Sequence, residues 1–162
     1  MTATETTPDP VIRELAPDRL DDFLRFFDRD AFTDNTAWAS CYGQFYHLAC
    51  SDEARAARGG VDNRAATSAL IRQGRARGRL AYAGDRLVGW CHATPRHTLP
   101  RLARYDGLPP DDGDVGAIVC FVVAPASRRH VVSRQSSVVS EYAPVGSAIY
   151  SIGDRVAQRS RY

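Results

Sequence analysis

The sequence predicts an α/β domain of the α+β type: a mixed, mostly antiparallel central sheet flanked by helices and incomplete at the C-terminus. Three stretches carry that expectation. Leu20, Phe23, Leu24 and Phe27 recur at helical spacing, with Asp21, Asp22, Arg25, Asp28 and Arg29 on the opposite face, so this segment has one side to bury. The run GRLAYAGDRLVGWCHA reads as two strands around a Gly84-Asp85 turn. The unbroken apolar run from Ala117 to Val123 needs burial on both faces, which makes it a central strand.

The other elements follow in chain order. Residues 1–10 hold threonines, acids and two prolines with nothing to bury, and are expected to be a disordered tail ahead of one domain spanning 11–162. VIREL, from Val11, alternates apolar and polar residues and suits a first strand. TAWASCYGQFYHLAC, from Thr36, is rich in aromatics and has no clean period. Ser51 followed by Asp52 and Glu53 has the chemistry of a helix start. After a Gly59-Gly60 break, NRAATSALIRQGRARG reads as a helix ending near Gly74 or Gly78. TPRHTLPRLARYDGLPPDDGD is expected to be a long polar excursion between strands. Residues 126–162 are atypical. RRHVVSRQSSVVSEYA has the length of a helix, but its valines and serines, at about 0.5 kcal/mol each against alanine, together disfavour one by roughly 4 kcal/mol. Pro144 and Gly146 then break the chain, AIYSI suits a short strand, and GDRVAQRSRY is polar.

The bulk composition excludes several classes. A chain of 162 residues, 44% hydrophobic and 25% charged, has the balance of an ordinary globular domain with a single core. Net charge is +2 and all 21 basic residues are arginines spread along the chain, which argues against nucleic acid as a partner. Cys41, Cys50, Cys91 and Cys120 fit neither a zinc motif nor a compact disulfide framework, so reduced thiols in the cytoplasm are expected and no metal. No apolar run approaches the ~18 residues of a membrane span, and MTATETTPDP lacks a signal-peptide apolar core, so no membrane partner is expected either.

Strand, helices, hairpin, buried strand and then a turn with VAP and two arginines: from Val11 to Tyr142 this order resembles the GNAT superfamily of N-acetyltransferases. AIVCFVVAPASRRH is the most specific part, and GRLAYAGDRLVGWCHATPR is similar to the family's second and third strands. The resemblance implies acetyl-CoA as co-substrate, its pantetheine arm lying along Phe121, Val122 and Val123. It also implies a pyrophosphate loop over Arg128, Arg129, His130, Val131, Val132 and Ser133, following the pattern Gln/Arg-x-x-Gly-x-Gly/Ala. Backbone N–H groups at a helix start suit such an anion. Arg128 matches the first position, whereas Val131 and Ser133 stand on the two small-residue positions. Arg128, Arg129 and His130 read equally well as a solvated polar turn.

The implied activity is acetyl transfer to a primary amine of a small molecule or protein. Juxtaposition of the reactants and backbone polarisation of the carbonyl would supply the catalysis. The alternative is a non-catalytic, truncated remnant of the fold that acts as a binding module or lacks function. His47 is the candidate general base, because its ordinary pKa lies near neutrality, although the residues around it favour the plainer reading, the edge of an aromatic cluster packed on the sheet. His92 and Glu141 are further candidates. The family's tyrosine acid has no counterpart, since neither Tyr150 nor Tyr162 can be placed on its position. An incomplete sheet edge favours association with another chain, such as a homodimer.

A β-branched valine resists the positive φ that a glycine supplies freely. Replacing Val131 and Ser133 together by glycine is therefore expected to tighten acetyl-CoA binding at least about tenfold, matching one left-handed residue relieved of strain. Calorimetric titration checks this. The gain should be larger for CoA than for a pantetheine fragment, and a folded double variant with no gain assigns weak binding to the helix and closing strands that the resemblance implies after AIYSI and for which GDRVAQRSRY is too short.

Overall fold

The computed structural model describes residues 9–105, 107–108, 115–128 and 149–151. Expectations that fall elsewhere, namely most of the N-terminal tail, the helix-length segment after Arg128 and the final polar stretch, lie outside the described residues.

Within these limits the hairpin forms as the sequence predicts: β2 (Arg79–Ala83) and β3 (Arg86–Pro95) pair antiparallel, with Ala83 opposite Arg86 across the turn. Gly84 has φ of +61°, so only the first central residue of this two-residue loop is left-handed, the arrangement that matches the twist of the flanking strands. β1 (Val11–Glu14) adds antiparallel to β2, and β4 (Gly116–Val123) adds antiparallel to β3. β5 (Ile149–Ser151) lies parallel to β4, completing a five-stranded sheet in the order β1-β2-β3-β4-β5. The fold is therefore α+β with a mixed, mostly antiparallel sheet. β4 differs from expectation in its burial: Ala117, Val119, Val122 and Val123 are buried, whereas Phe121 is 37% exposed.

α1 (Leu20–Arg25) buries Leu20, Phe23 and Leu24 against the sheet, then widens into a π-helical turn over Phe26–Asp30. Phe26 and Phe27, three and four residues after Phe23, are both buried in this turn. α2 (Asp52–Ala56) is capped as predicted, the Ser51 hydroxyl accepting from the Ala54 N–H at 3.2 Å. α3 (Gly60–Arg72) starts at the glycine pair instead of after it, because the Asp62 carboxylate accepts from the Gly59 N–H at 3.3 Å and satisfies the helix start. The excursion after β3 is less polar in its packing than in its composition. It makes 3-10 turns at Arg96–Thr98 and Pro100–Arg104, and Leu99, Leu102, Arg96 and Arg101 are buried.

The main core lies between α1, α3 and one face of the sheet, centred on Phe23, Leu80, Leu87, Trp90 and Ile71. Phe23 meets the Trp90 indole edge-on, with ring centroids 5.2 Å apart. The indole needs Gly78 beneath it. A Cβ there would lie 2.2 Å from Trp90 Cη2 and 2.5 Å from the Cys91 carbonyl oxygen, and a backbone oxygen in a sheet has little room to yield. Gly78→Ala is accordingly expected to cost about 1–3 kcal/mol in urea unfolding. An unchanged unfolding midpoint would show that strand and indole move aside together.

Candidate functional site

β4 is paired with β3 along its length, from Gly116 to Val123, but with β5 only at Gly116, Ala117 and Ile118. Among the described residues its second half therefore has one side without a strand partner. On that side the Val123 carbonyl accepts from Arg128 Nε at 3.3 Å. On the helix-bearing face of the sheet, Cys120 stands opposite His92 and Val122 opposite Trp90.

Over this face lies the aromatic segment 36–47, which α3 holds in place with buried polar side chains. The Thr67 hydroxyl donates to the Tyr42 carbonyl at 2.8 Å and accepts from Gln44 Nε2 at 2.6 Å. Asn63 Nδ2 donates to the Ser40 carbonyl at 2.9 Å. Fixed in this way, the 3-10 turn Phe45–His47 places His47 against His92, with ring centroids 5.0 Å apart and planes 27° from parallel. His92 in turn lies 5.5 Å from the Trp90 indole. The three rings form a column leading outward from the core.

Electrostatics differ along the column. Burial pushes the His92 imidazole down to about 3, and neither of its nitrogens, nor Trp90 Nε1, has a hydrogen-bond partner among the described residues. His47 is half-buried, and its pKa is lowered by burial and, less, by the Arg75 charge. Both imidazoles are thus neutral at pH 7, and the outer one is in the state of a proton acceptor. Burial, with Cys41 and Cys91 nearby, raises the Cys120 thiol to about 12, which leaves it no thiolate character near neutrality. Among the described residues no group of His, Cys, Asp or Glu side chains is arranged to hold a metal ion, and no helix is long and apolar enough to cross a membrane.

The same 3-10 turn carries a second feature at Phe45. The Arg101 guanidinium lies 4.4 Å and that of Arg55 4.9 Å from the Phe45 ring centroid. Between Phe45 and His47, Tyr46 packs with Leu99, Leu102, Ala117 and Val119, so this part of the turn rests on the first half of β4.

Of the residues singled out in sequence, Phe121, Val122 and Val123 lie on the half-paired stretch of β4, with the Val122 side chain in the main core and Val123 packed with Ala81 and Val88 on the opposite face. Arg128 lies past a 3-10 turn at Pro125–Ser127, where its guanidinium pairs with the Asp34 carboxylate and its Nε donates to the Val123 carbonyl at 3.3 Å. Arg129, His130, Val131, Val132, Ser133 and Glu141 lie outside the described residues. His47 is brought to β3 through its stack on His92, which pairs with Cys120 of β4. The sequence gives no sign of a role for Arg101 or Arg55. The two arginines carry no local pattern, since Phe45 gathers them from distant parts of the chain.

No protein-family model matches the sequence, and no curated protein matches it. Solved structures do. One is a probable acetyltransferase, 17% identical, covering 92% of this chain and 84% of that one with a TM-score of 0.46. A ribosomal-protein-alanine N-acetyltransferase from Brucella melitensis biovar Abortus 2308 is 12% identical over 94% of this chain and 91% of that one, with a TM-score of 0.46. A GCN5-related N-acetyltransferase from Ralstonia eutropha JMP134 is 15% identical over 94% and 92%, with a TM-score of 0.42.

The column makes stability depend on pH with a definite sign. The folded-state pKa of His92 lies below its unfolded value near 6.5, so between those limits the unfolded chain binds the proton and the folded one does not. Stability is therefore expected to fall as pH drops from 6.5 toward 3, and His92→Phe should flatten that decline in urea unfolding measured across the range. An identical decline in the variant would show that His92 is not what titrates.

Proposed function

We propose that this chain moves an acetyl group from acetyl-CoA to a primary amine of a small molecule or protein. One observation carries the proposal: a neutral, half-buried imidazole is stacked on His92 of β3, which pairs with Cys120 at the second half of β4, where among the described residues one side of the strand has no strand partner. When bound, acetyl-CoA supplies an activated acyl carbon. The backbone of Phe121, Val122 and Val123 would hold the pantetheine arm, and one N–H of that stretch would polarise the carbonyl. Arg128, with Arg129, His130, Val131, Val132 and Ser133, would meet the phosphates. For Arg128 this requires release from Asp34, whose carboxylate it holds in the described conformation.

The chemistry asked of the side chains is small. His47 accepts the proton that an attacking amine must lose, directly or through one water. His92 contributes as a positioning residue, since a neutral ring beneath His47 fixes its plane without opposing its protonation. No covalent nucleophile is needed, in keeping with the protonated Cys120. A single domain over 11–162, a cytoplasmic setting for the free thiols and assembly as a homodimer complete the reading.

Calorimetry with acetyl-CoA and amine-dependent release of CoA thiol test it. Because the His47 pKa lies below 6.5, kcat/KM is expected to hold above that pH and to fall below it as the base becomes protonated. His47→Gln should lower kcat/KM about a hundredfold, remove that acid limb and leave acetyl-CoA affinity unchanged. Failure to bind acetyl-CoA would overturn the proposal. Binding without amine-dependent thiol release would make the chain a binding module.

A further inference from the structure

Arg101 lies on the 3-10 turn that precedes β4, and only 8% of its side chain is exposed. Its Nη2 donates to the Asp52 carboxylate, but Nε and Nη1 are buried with no hydrogen-bond partner among the described residues. Stacking on Phe45 satisfies the face of the guanidinium and leaves these in-plane N–H groups unanswered. Buried donors of a charged group without acceptors are costly, and a native protein retains them where something else completes the set. Asp52 does so only in part. It is an exposed residue at the start of α2, its side chain 67% accessible, and it divides itself between Arg101 and Arg55, whose Nε stands 3.7 Å away.

The charge balance also favours an anion. Arg104 joins Arg55 and Arg101 by donating to the Cys50 carbonyl at 2.6 Å, so three guanidiniums gather around Asp52, with Glu53 beside it as a second carboxylate that feels the Arg104 charge. A guanidinium offers paired N–H donors along each of two edges, and a planar carboxylate matches either edge with both oxygens. Each of the two unpartnered nitrogens of Arg101 is half of such an edge, the other half being the Nη2 that Asp52 now holds. A second carboxylate that takes Nη2 from Asp52 gains a full edge.

We infer that Arg101, with Arg55 also beside the Phe45 ring, forms a carboxylate subsite for the acceptor, and that the acceptors of this chain are primary amines bearing a carboxylate. The inference rests on the reading of His47 as the base that meets the amine. Phe45, on which Arg101 stacks, and His47 are the first and last residues of one 3-10 turn, so three consecutive residues tie the position of the guanidinium to that of the imidazole. Asp52 holds the subsite in the absence of such a ligand and is displaced by it.

Two matched pairs of ligands test this, 4-aminobutyrate with butylamine and glycine with methylamine. Binding is followed by calorimetry in the presence of CoA, and acetylation separately by thiol release from acetyl-CoA. The carboxylate-bearing member of at least one pair should bind about tenfold or more tightly than its partner, and Arg101→Met should abolish the difference while leaving the plain amine unaffected. Because Arg101 is buried and its variant could fail to fold, Asp52→Asn provides a second reading. Removing the competing carboxylate should tighten binding of the amino acid and not of the amine. Equal binding within both pairs, or tighter amino-acid binding that neither substitution alters, overturns the subsite. Arg101-dependent binding without acetylation sustains the subsite and removes the transferase reading, whereas acetylation indifferent to the carboxylate does the reverse.

Discussion

The arrangement of the site depends on one hydroxyl. Thr67 is buried on α3, and its oxygen both donates to the Tyr42 carbonyl and accepts from the Gln44 amide, so a single atom ties the backbone and a side chain of the 36–47 segment to a rigid helix. Asn63, one turn earlier on the same face, repeats the device at the Ser40 carbonyl. A segment without helical or strand pairing must satisfy its buried backbone in some other way, and here α3 supplies the partners. The constraint is firm enough to hold Tyr42 at a φ of 47°, a conformation that costs a side-chain-bearing residue roughly 1–2 kcal/mol. Hydrogen bonding of the Tyr42 hydroxyl to Asp28 at 2.6 Å, with Arg64 gripping the same carboxylate through two nitrogens, helps offset that cost. Phe45, Tyr46 and His47 stand where they do because the chain before them has no freedom.

This division of labour explains what the sequence disclosed. Elements held by apolar periodicity were legible: β1, α1, the hairpin, α3 and β4 fall where alternation, helical spacing and turn chemistry place them. The π-helical turn at Phe26–Asp30 was not, because a wider turn leaves both the composition and the apolar spacing of the segment as they would be in a regular helix. Nor was the burial of Arg96 and Arg101. In sequence TPRHTLPRLARY reads as polar, yet Leu99 and Leu102 anchor it beside β4 and carry their arginine neighbours inward. His47 could be named from its residue type and aromatic company. Its partner His92 could be placed on a strand, but the stack between them depends on the Thr67 lattice, in which each contact joins residues more than twenty positions apart. Periodicity has no access to contacts of that kind.

The centre of the site is electrically quiet. Burial keeps His92 neutral by lowering its pKa and keeps Cys120 neutral by raising its own. The same desolvation acts in opposite directions on bases and acids, and in every case it removes charge. His47, at the boundary, is then the group in the column whose protonation can change within the ordinary range, and the field it feels comes mainly from burial and secondarily from Arg75. A neutral interior with one titrating group at its margin suits a proton transfer in which the amine supplies the proton and solvent receives it.

Formal charge is instead concentrated at the two ends of β4, and the ends are built alike. Before the strand, Arg101 holds Asp52; after it, Arg128 holds Asp34. In each pair the arginine borders β4 and the aspartate is an exposed residue of the 30–52 stretch, its carboxyl held below the usual range by the arginine's hydrogen bond. An exposed carboxylate loses little hydration in such a pair and is easily exchanged for another anion. The surroundings then decide what exchange accomplishes. At Arg101 the guanidinium is enclosed and stacked on Phe45, so an incoming anion is held in a medium that strengthens the contact and fixes its orientation. Arg128 is half-exposed, and its Nε also occupies the Val123 carbonyl, the last carbonyl of β4. An anion that draws Arg128 away from Asp34 therefore frees that carbonyl in the same movement, so that charge recognition beyond the strand and hydrogen bonding along it are linked through one side chain.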